Sequence, residues 1–374
     1  MYKRALEKQI EKWIPKKEVL IIYGTRQVGK TTLINEIFDS NDKAVILNCE
    51  IPAIANILES KDLDSIKALF SNNTIVVLDE AQKIDEIGSI LKLIYDELKQ
   101  YKIIATGSSS FDLANQIGEP LTGRNVKFIM YPLSLQEISD TNGWLWVLNN
   151  LNNLLVFGAY PGIIDLDSDD KKIMLNQLST DYLYKDILVY EKIKSPSIIR
   201  KLLTALALQV GAQVSVNELS NLLKITRNIV ELYLDLLEKT FIIFHLVSYS
   251  TNLRNEIKKS KKYFFYDNGV LNALIANYSP VSARKDIGAL WENFCISERI
   301  KFNHYNSHFA NLYFWRTYDG AEIDLVEEQN GKIKAFEFKW NIKRKAKLPA
   351  SFAEKYGVEK LNIITPQNAH ELIK

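Results

Sequence analysis

One short segment near the start of the chain constrains its fold more than any other. Residues 24–31 read Gly-Thr-Arg-Gln-Val-Gly-Lys-Thr and fit the pattern G-x-x-x-x-G-K-[ST]. An apolar run precedes them at residues 19–23, and a helical pattern follows at residues 31–38. Glycines let such a loop fold around phosphates, while backbone amides and the helix N-terminus supply positive potential. The sequence therefore predicts a phosphate-binding loop between a strand and a helix.

The residues of this loop have expected roles in binding ATP and Mg²⁺, the two predicted cofactors. Lys30 is expected to reach the β- and γ-phosphates, and the Thr31 hydroxyl is expected to ligate Mg²⁺. The residues expected to contact the nucleotide are Gly24, Thr25, Arg26, Gln27, Val28, Gly29, Lys30, Thr31 and Thr32.

Two acids follow another apolar run, residues 74–78, as in a Walker B motif. Asp79 is expected to hold the magnesium ion through water, and Glu80 to polarise the attacking water. Solvated acids at a strand end are the alternative. A further strand at residues 103–106 leads into Gly107-Ser108-Ser109, where a hydroxyl, with Ser108 as the candidate, could orient that water. Together these residues predict ATP hydrolysis.

Arg124 lies in Leu121-Thr122-Gly123-Arg124, after the helix that follows this strand. In oligomeric ATPases an arginine near this point often reaches a neighbour's γ-phosphate. This role predicts a homo-oligomer, and a surface arginine is the alternative.

The first third of the chain alternates apolar runs with helical patterns. Predicted strands at residues 19–23, 44–47, 74–78 and 103–106 alternate with helices that include residues 31–38 and 91–98. This alternation predicts an α/β fold with a parallel sheet and helices on both faces.

Composition narrows the class of protein. The 374 residues suggest two or three domains, and 47% apolar with 25% charged residues indicate a globular chain. A net charge of +2 means that nucleic-acid affinity must come from local basic patches. No apolar run reaches the ~18 residues of a membrane span, and no signal peptide is evident, so a cytoplasmic protein without membrane contact is expected. The two cysteines and four histidines suggest neither a disulfide framework nor a zinc site.

From about Leu133 the pattern is mostly helical. Ser215-Val216-Asn217-Glu218 has the form of a capping box and opens a short predicted helix. A turn, a second amphipathic helix and a strand at residues 241–247 follow. This helix–turn–helix–strand order predicts a winged helix.

The last part of the chain carries a group of acids and a lysine. Asp324 and then Glu337-Phe338-Lys339 on the next predicted strand resemble the D…E-x-K arrangement of PD-(D/E)xK nucleases, with Glu292 on the preceding helix. The predicted order helix–strand–strand–strand–helix–strand also resembles the core of that restriction-endonuclease-like fold. The resemblance implies that Asp324 and Glu337 hold Mg²⁺, with Glu292 assisting, while Lys339 positions or activates water. The alternative is that Glu337 and Lys339 form an ion pair on a half-exposed strand. Even in domains with the nuclease-like fold, many bind their ligand without cutting it.

Two basic clusters flank this region, and both are candidate phosphate contacts. The first comprises Lys258, Lys259, Lys261 and Lys262, and the second comprises Lys343, Arg344, Lys345 and Lys347. A solvated face is the alternative for each.

An ordered set of motifs extends over most of the chain. Besides the phosphate loop, they are Leu-Asp-Glu-Ala-Gln (78–82), Thr-Gly-Ser-Ser-Ser (106–110), Leu-Thr-Gly-Arg (121–124), Tyr-Pro-Leu-Ser (131–134) and Phe-Gly-Ala-Tyr-Pro-Gly (157–162). The set resembles prokaryotic AAA+-like P-loop ATPases with a further C-terminal domain. The domains expected are an ATPase core at 1–135, a helical and winged-helix region at 136–255, and a nuclease-like domain at 256–374.

The expected function is Mg²⁺-dependent ATP hydrolysis coupled to DNA binding or processing, with ATP, ADP and DNA as partners. The alternatives are a nucleotide-gated regulatory switch, or a defence nuclease whose C-terminal domain binds or cuts nucleic acid.

Overall fold

The structure is a computed structural model that describes residues 2–107, 121–182, 196–250, 261–343 and 346–374. The chain divides into two compact units. The N-terminal unit comprises Met1–Pro132 with Lys239–Phe241, and the C-terminal unit comprises Leu133–Glu238 with Ile242–Lys374.

The N-terminal unit contains a five-stranded sheet in the order β2-β3-β4-β1-β5, in which every pairing is parallel. Its strands are β1 (Val19–Tyr23), β2 (Ala44–Asn48), β3 (Ile75–Asp79), β4 (Lys102–Gly107) and β5 (Asn125–Ile129). Its helices are α1 (Leu6–Trp13), α2 (Lys30–Phe38), α3 (Pro52–Glu59), α4 (Leu63–Phe70) and α5 (Ile87–Glu97). The prediction of a parallel α/β sheet is confirmed.

Burial explains why these segments form strands. Every residue of β1, β3 and β4 is buried, as expected for central strands of a parallel sheet covered on both faces. On one face Val19 and Ile21 pack in a core with Leu58 of α3, Ile66 of α4 and Ile90 of α5. The outer strands β2 and β5 are only partly buried.

The order of the strands places a crevice at one edge of this sheet. All strands are parallel, so the residues that follow β1, β3 and β4 emerge at the same edge. The chain leaves β1 for β2, which lies on the far side of β4 and β3. Such a reversal of strand order is where open α/β sheets bind ligands.

The described residues of the C-terminal unit form nine α-helices and a second sheet. Its helices are α6 (Leu135–Asn142), α7 (Trp144–Phe157), α8 (Ser168–Gln177), α9 (Pro196–Leu208), α10 (Val216–Leu223), α11 (Arg227–Lys239), α12 (Asn268–Leu274), α13 (Ile287–Tyr305) and α14 (Ala350–Tyr356). Its strands are β6 (Gln213–Val214), β7 (Ile243–Ser248), β8 (Lys261–Phe265), β9 (Asn311–Arg316), β10 (Glu322–Gln329), β11 (Lys332–Phe338) and β12 (Leu361–Ile364).

These seven strands form one sheet in the order β12-β11-β10-β9-β7-β8-β6. β9, β10 and β11 pair antiparallel, and β12 lies parallel to β11. The order α13-β9-β10-β11-α14-β12 is the helix–strand–strand–strand–helix–strand order expected from the sequence. The register of β9 against β10 shifts between Ile323 and Val326, which places a bulge beside Asp324.

The helix–turn–helix expected before the sheet is present as α10 and α11. Ser215 precedes α10, and its hydroxyl accepts the amide of Glu218 at 3.3 Å. β7 and β8 follow and pair antiparallel, and β6 pairs with β8. β7 also pairs in parallel with β9, which makes this small ladder continuous with the rest of the sheet. The domain boundary expected at residue 255 lies in residues 251–260, outside the described part of the chain.

Candidate functional site

The phosphate loop joins β1 to α2, and its backbone adopts conformations that favour glycine. Gly29 has φ +93° and Gln27 has φ +63°, so the loop passes twice through the left-handed region. A Cβ at Gly24 would collide with the carbonyl oxygen of Met130. Only glycine fits at position 24, because the backbone that follows β5 passes directly against it.

Lys30 begins α2 and is buried over the loop. Its ammonium donates to the carbonyl oxygens of Gly24 at 2.9 Å and Thr25 at 3.0 Å. Lys30 therefore has only 6% of its surface exposed, and its charge is concentrated at the loop. Thr31 and Thr32, the next two residues, are exposed at the start of the helix.

Asp79 connects the loop with the neighbouring strand. One carboxylate oxygen accepts the Thr31 hydroxyl at 2.9 Å, and the other accepts the hydroxyl of Thr106. The Thr106 hydroxyl also accepts the backbone amide of Glu80 at 3.2 Å. One set of hydrogen bonds thus joins the ends of β3 and β4 to the start of α2. It brings together Thr31 and Asp79, the two side chains that the sequence predicts at the Mg²⁺ ion.

Glu80 follows β3 in a left-handed conformation, with φ +55°. Its carboxylate accepts a hydrogen bond from the side-chain amide of Gln82, so the carboxylate has a defined orientation beside Thr106. Nearby, burial and the charges of Asp79 and Glu80 raise the pKa of Cys49 to about 12, which keeps this thiol neutral. Ser108, the predicted water-orienting residue, lies outside the described residues.

Arg124 lies away from this set in its own chain. It precedes β5, and its carbonyl oxygen accepts the amide of Val19 at the start of β1. The phosphate loop follows the other end of β1, about 13 Å away at 3.3 Å per residue. The Arg124 guanidinium donates to Asp96 at 3.1 Å and lies near the ring of Tyr95. A role at a γ-phosphate therefore requires a second subunit, and this role stays a prediction.

Arg4 is a residue that sequence reasoning missed. Its side chain is 5% exposed and donates to the carbonyl oxygens of Val28, within the loop, and Tyr131, at 2.7 Å for the latter. The Arg4 side chain therefore links the phosphate loop to the segment that follows β5. No local pattern distinguishes it from the other charged residues of the N-terminal helix, because its acceptors lie 24 and 127 residues away.

In the C-terminal unit the structure brings together all four predicted nuclease residues. Glu292 and Asp324 face a cavity of about 490 Å³ together with Lys339. Glu337 pairs with Lys339, and the carboxylate of Asp324 accepts the backbone amide of Phe338 at 2.8 Å. Burial and the charge of Asp324 raise the pKa of Glu292 to about 8, and burial and the charge of Glu337 raise that of Asp324 to about 6.

Lys262 corrects one expectation from the sequence. The sequence places it in a basic cluster as a candidate phosphate contact, but it is 2% exposed. Its ammonium lies 3.3 Å from Glu292 and 2.5 Å from Glu322, an acid outside the D…E-x-K pattern. Lys258, Lys259, Arg344 and Lys345 of the two predicted clusters lie outside the described residues.

The ammonium of Lys262 thus lies against the carboxyl group that the resemblance expects to assist Mg²⁺. Across the described ranges, no group of three or more His, Cys, Asp or Glu side chains is arranged to hold a metal ion. As arranged here, Glu292, Asp324 and Glu337 do not fit a metal-ligand set. The raised pKa values of Glu292 and Asp324, and the cavity that these two residues share with Lys339, nevertheless distinguish the group from a solvated strand face.

Comparison with protein families divides the chain into three parts. Residues 16–139 match a family described as an AAA domain. Residues 148–281 and 287–373 match two families described as domains of unknown function, DUF8612 and DUF4143.

Relatives and a solved structure extend over more of the chain. An uncharacterized protein of Mycobacterium tuberculosis is 26% identical over 325 residues, which cover 86% of this chain and 70% of the relative. An uncharacterized protein of Methanocaldococcus jannaschii is 27% identical over 317 residues, or 79% and 69% of the two chains. The Walker-type ATPase of Pyrococcus abyssi shares the fold over 74% of this chain and 96% of its own, with a TM-score of 0.52 and 18% identity.

In the part of the chain that the structure describes, no helix has both the length and the apolar character needed to cross a membrane. The AAA-domain match and the Walker-type ATPase fold agree with the strand order and the phosphate loop. Residues 16–139 therefore resemble an AAA domain, and the chain shares its fold with a Walker-type ATPase.

Proposed function

We propose that this protein is a Mg²⁺-dependent ATP hydrolase that couples ATP hydrolysis in its N-terminal unit to nucleic acid held by its C-terminal unit. The observation that carries the proposal is the set of Thr31, Asp79 and Thr106 beside the phosphate loop, joined by hydrogen bonds. Strands β3 and β4 and the start of helix α2 bring these side chains to one edge of the sheet, which is where an α/β sheet binds its ligand.

The side chains of this site have distinct tasks in hydrolysis. Lys30 and the loop amides bind the phosphates, and the oxygens of Thr31 and Asp79, 2.9 Å apart, would hold Mg²⁺. The bound ion would neutralise charge on the phosphate oxygens. Glu80 accepts a proton from, or orients, the attacking water, and Thr106 fixes the position of Asp79 relative to Glu80. Ser108 is proposed as a further contact to this water.

The assembly part of the proposal has support of its own. Arg124 lies too far from its own phosphate loop to act there, which favours a homo-oligomer in which it acts on a neighbour. DNA is the proposed macromolecular partner, and the proposed location is the cytoplasm. The alternative is a regulatory switch, in which nucleotide binding gates a C-terminal unit that recognises another ligand.

The test is the steady-state ATPase rate of the full chain alone and with single-stranded, duplex or branched DNA. We expect basal Mg²⁺-dependent turnover that at least one DNA form stimulates. Lys30→Ala and Glu80→Gln should each lower kcat about a hundredfold or more. Lys67→Ala, which removes an exposed cation on α4, is the matched control and should leave the rate unchanged.

Two results would contradict the proposal in different ways. Turnover that survives Lys30→Ala would mean that the phosphate loop is not the site of hydrolysis. Normal turnover with no response to any DNA form would remove the nucleic-acid role and favour the switch.

A second candidate activity is phosphodiester cleavage by Glu292, Asp324, Glu337 and Lys339. The observation in its favour is that Glu292, Asp324 and Lys339 face one cavity. The carboxylates cannot act together while Lys262 holds Glu292, so cleavage requires that this ion pair open. Asp324→Ala and Lys339→Ala should abolish Mg²⁺-dependent cutting of DNA and spare ATP hydrolysis. A wild-type chain that cuts no DNA under any nucleotide condition excludes this activity.

A further inference from the structure

A second cavity of the C-terminal unit, of about 710 Å³, lies where β7 and β9 end. We call it the aromatic cleft. Its volume falls within the range of about 300–1,000 Å³ usual for ligand sites. Its walls come from the ends of β7 and β9, the β9–β10 turn and α14, and they include Tyr249, Trp315, Arg316, Tyr318, Lys355 and Tyr356.

Aromatic rings form a fixed wall of this cleft. The rings of Tyr249 and Tyr356 lie 5.0 Å apart, and Phe352 lies 4.8 Å from Tyr356 and 5.0 Å from Trp315. Phe352 is fully buried and Trp315 is 6% exposed, so the core of the unit holds these rings in place. Rings held in this way lose little entropy when a ligand stacks on them.

Tyr318 differs from the rings of the wall. It lies in the turn between β9 and β10 and is fully exposed, with a relative accessibility of 110%. A tyrosine in this position covers no core, and neither its burial nor a packing contact explains an aromatic side chain there. It stands at the cleft with its ring available to a ligand.

Two cations lie beside these rings, with one acid, Asp319. The Arg316 guanidinium is 4.0 Å from Glu322, at the limit of an ion pair, whereas Lys262 contacts the same carboxylate at 2.5 Å. Arg316 is 44% exposed as a side chain and can therefore turn to another anion. Lys355 has its ammonium 5.2 Å from the ring of Tyr356.

We propose that the aromatic cleft binds a single-stranded segment of nucleic acid, with a base stacked at Tyr318 and phosphates at Arg316 and Lys355. Rings interleaved with cations are the chemistry by which proteins hold single strands without reading their sequence. A duplex keeps its base faces stacked on each other, so its bases cannot enter such a cleft. This inference rests on the nucleic-acid role proposed above and names the form of nucleic acid and its contact surface.

A chain of ion pairs connects the cleft to the carboxylate cluster. Arg316 contacts Glu322, Glu322 contacts Lys262, and Lys262 contacts Glu292. A phosphate that draws Arg316 away from Glu322 leaves that carboxylate to Lys262 alone. Strand binding in the cleft therefore alters the charge balance around Glu292.

The experiment measures binding of a fluorescein-labelled oligothymidylate to the full chain by anisotropy, over a series of salt concentrations. Tyr318→Ala should weaken binding about fivefold or more, since loss of one stacked base has an effect of this order. Its salt dependence should match that of the wild type, and Tyr318→Phe should restore affinity. Arg316→Ala combined with Lys355→Ala should reduce the slope of log K against log salt by roughly 1.4, or 0.7 per phosphate.

Matched controls come from the opposite end of the sheet. Phe309→Ala removes a ring that is 87% exposed just before β9, and Lys332→Ala removes an exposed cation at the start of β11. Both should bind as the wild type does. Thermal unfolding of each variant checks that it is folded. We expect all of them to fold, because a substitution at an exposed position such as Tyr318 removes no core contact.

The outcomes separate this inference from the function on which it rests. If the wild type binds neither single-stranded nor duplex nucleic acid, the nucleic-acid role itself fails. If the wild type binds single strands and the cleft variants do so with unchanged affinity and slope, only the aromatic cleft is excluded. Tighter binding of duplex, or equal binding of an oligonucleotide that lacks its bases, also contradicts the inference.

Discussion

At the scale of single residues, Lys262 is a buried lysine whose side chain contacts residues of several other elements. It lies on β8, crosses within 5.3 Å of the ring of Phe314 on β9, and ends between Glu292 and Glu322. Burial by itself lowers the pKa of a lysine, but the surrounding carboxylates outweigh burial and raise the pKa of Lys262. The ammonium therefore stays charged and holds the carboxylates in place.

The raised pKa of Glu292 predicts how stability depends on pH. The pKa rises from 4.5 to about 8 through burial and the charge of Asp324. Between these values the folded chain binds a proton that the unfolded chain has lost, so the free energy of unfolding should fall as pH rises from 5 to 8. Glu292→Gln has no such proton. Between pH 5 and 8 its free energy of unfolding should therefore fall by less than that of the wild type, and the difference should exceed about 1 kcal/mol.

Urea unfolding followed by tryptophan fluorescence at pH 5, 6, 7 and 8 measures this difference. Glu354→Gln, at an exposed position on α14, is the control and should parallel the wild type at every pH. Equal pH profiles for wild type and Glu292→Gln would show that Glu292 ionises normally in the folded chain.

Residue-level prediction from the sequence succeeded where the chemistry is local. The phosphate loop is contiguous, and the structure places Lys30 and Thr31 at the start of α2 as expected. Arg4 and Lys262 could not be interpreted in the same way, because their partners are distant in sequence. The acceptors of Arg4 lie up to 127 residues away, and Glu292 lies 30 residues from Lys262.

At the scale of elements, burial decided which strands the sequence predicted well. β1 has the predicted bounds, and β3 and β4 lie within one residue of theirs, because central strands are continuous apolar runs. β5 was not predicted. It pairs only with β1 at the sheet edge, and its sequence Asn-Val-Lys-Phe-Ile mixes polar and apolar residues.

Helix α13 offers an element-scale prediction through Arg299. Its guanidinium donates to both carboxylate oxygens of Glu327 on β10, at 2.7 and 2.9 Å, and to the carbonyl of Leu372 at 3.0 Å. Burial opposes the charge of Glu327, but the pair with Arg299 outweighs it and lowers the pKa of Glu327. Arg299→Met leaves a buried carboxylate without its partner and should lower the free energy of unfolding by about 3–5 kcal/mol.

Chemical denaturation at pH 7 tests this prediction against a surface pair. Arg227 and Glu231 on α11 form an ion pair at 2.9 Å with side chains 62% and 48% exposed. Arg227→Met should cost only about 0–1 kcal/mol, because water screens the exposed pair. Similar losses for the two variants would mean that the buried pair adds nothing beyond a surface contact.

At the scale of the whole molecule, Arg124 predicts assembly. If it acts on the nucleotide of a neighbour, Arg124→Ala should abolish ATP turnover and retain ATP binding. Mixing it with Lys30→Ala chains should restore part of the activity, because one chain supplies an intact loop and the other an intact arginine. The measurement is the ATPase rate as a function of the mixing ratio.

Asp96→Ala is the matched control, since it removes the ion pair of Arg124 within its own chain and keeps the arginine. It should retain turnover. Equal loss of activity in Asp96→Ala and Arg124→Ala, without recovery on mixing, would assign Arg124 a purely structural role in its own subunit.

The pairing of β7 with β9 is the part of the architecture that no local pattern could predict. The strands are separated by more than 60 residues, and their parallel contact covers two register pairs, Val247 with Tyr313 and Ser248 with Phe314. The sequence predicted both strands, but not that they would be neighbours. Strand partners so far apart depend on the packing of the complete unit rather than on any one segment.

This pairing also determines where the chain can be divided. The two family matches meet between residues 281 and 287, yet β7 belongs to the first and β9 to the second. A fragment cut there would leave a row of backbone amides and carbonyls on β9 without partners, an open template for intermolecular association. We therefore expect residues 287–374 to self-associate when expressed alone, and the two segments to behave as one inseparable piece.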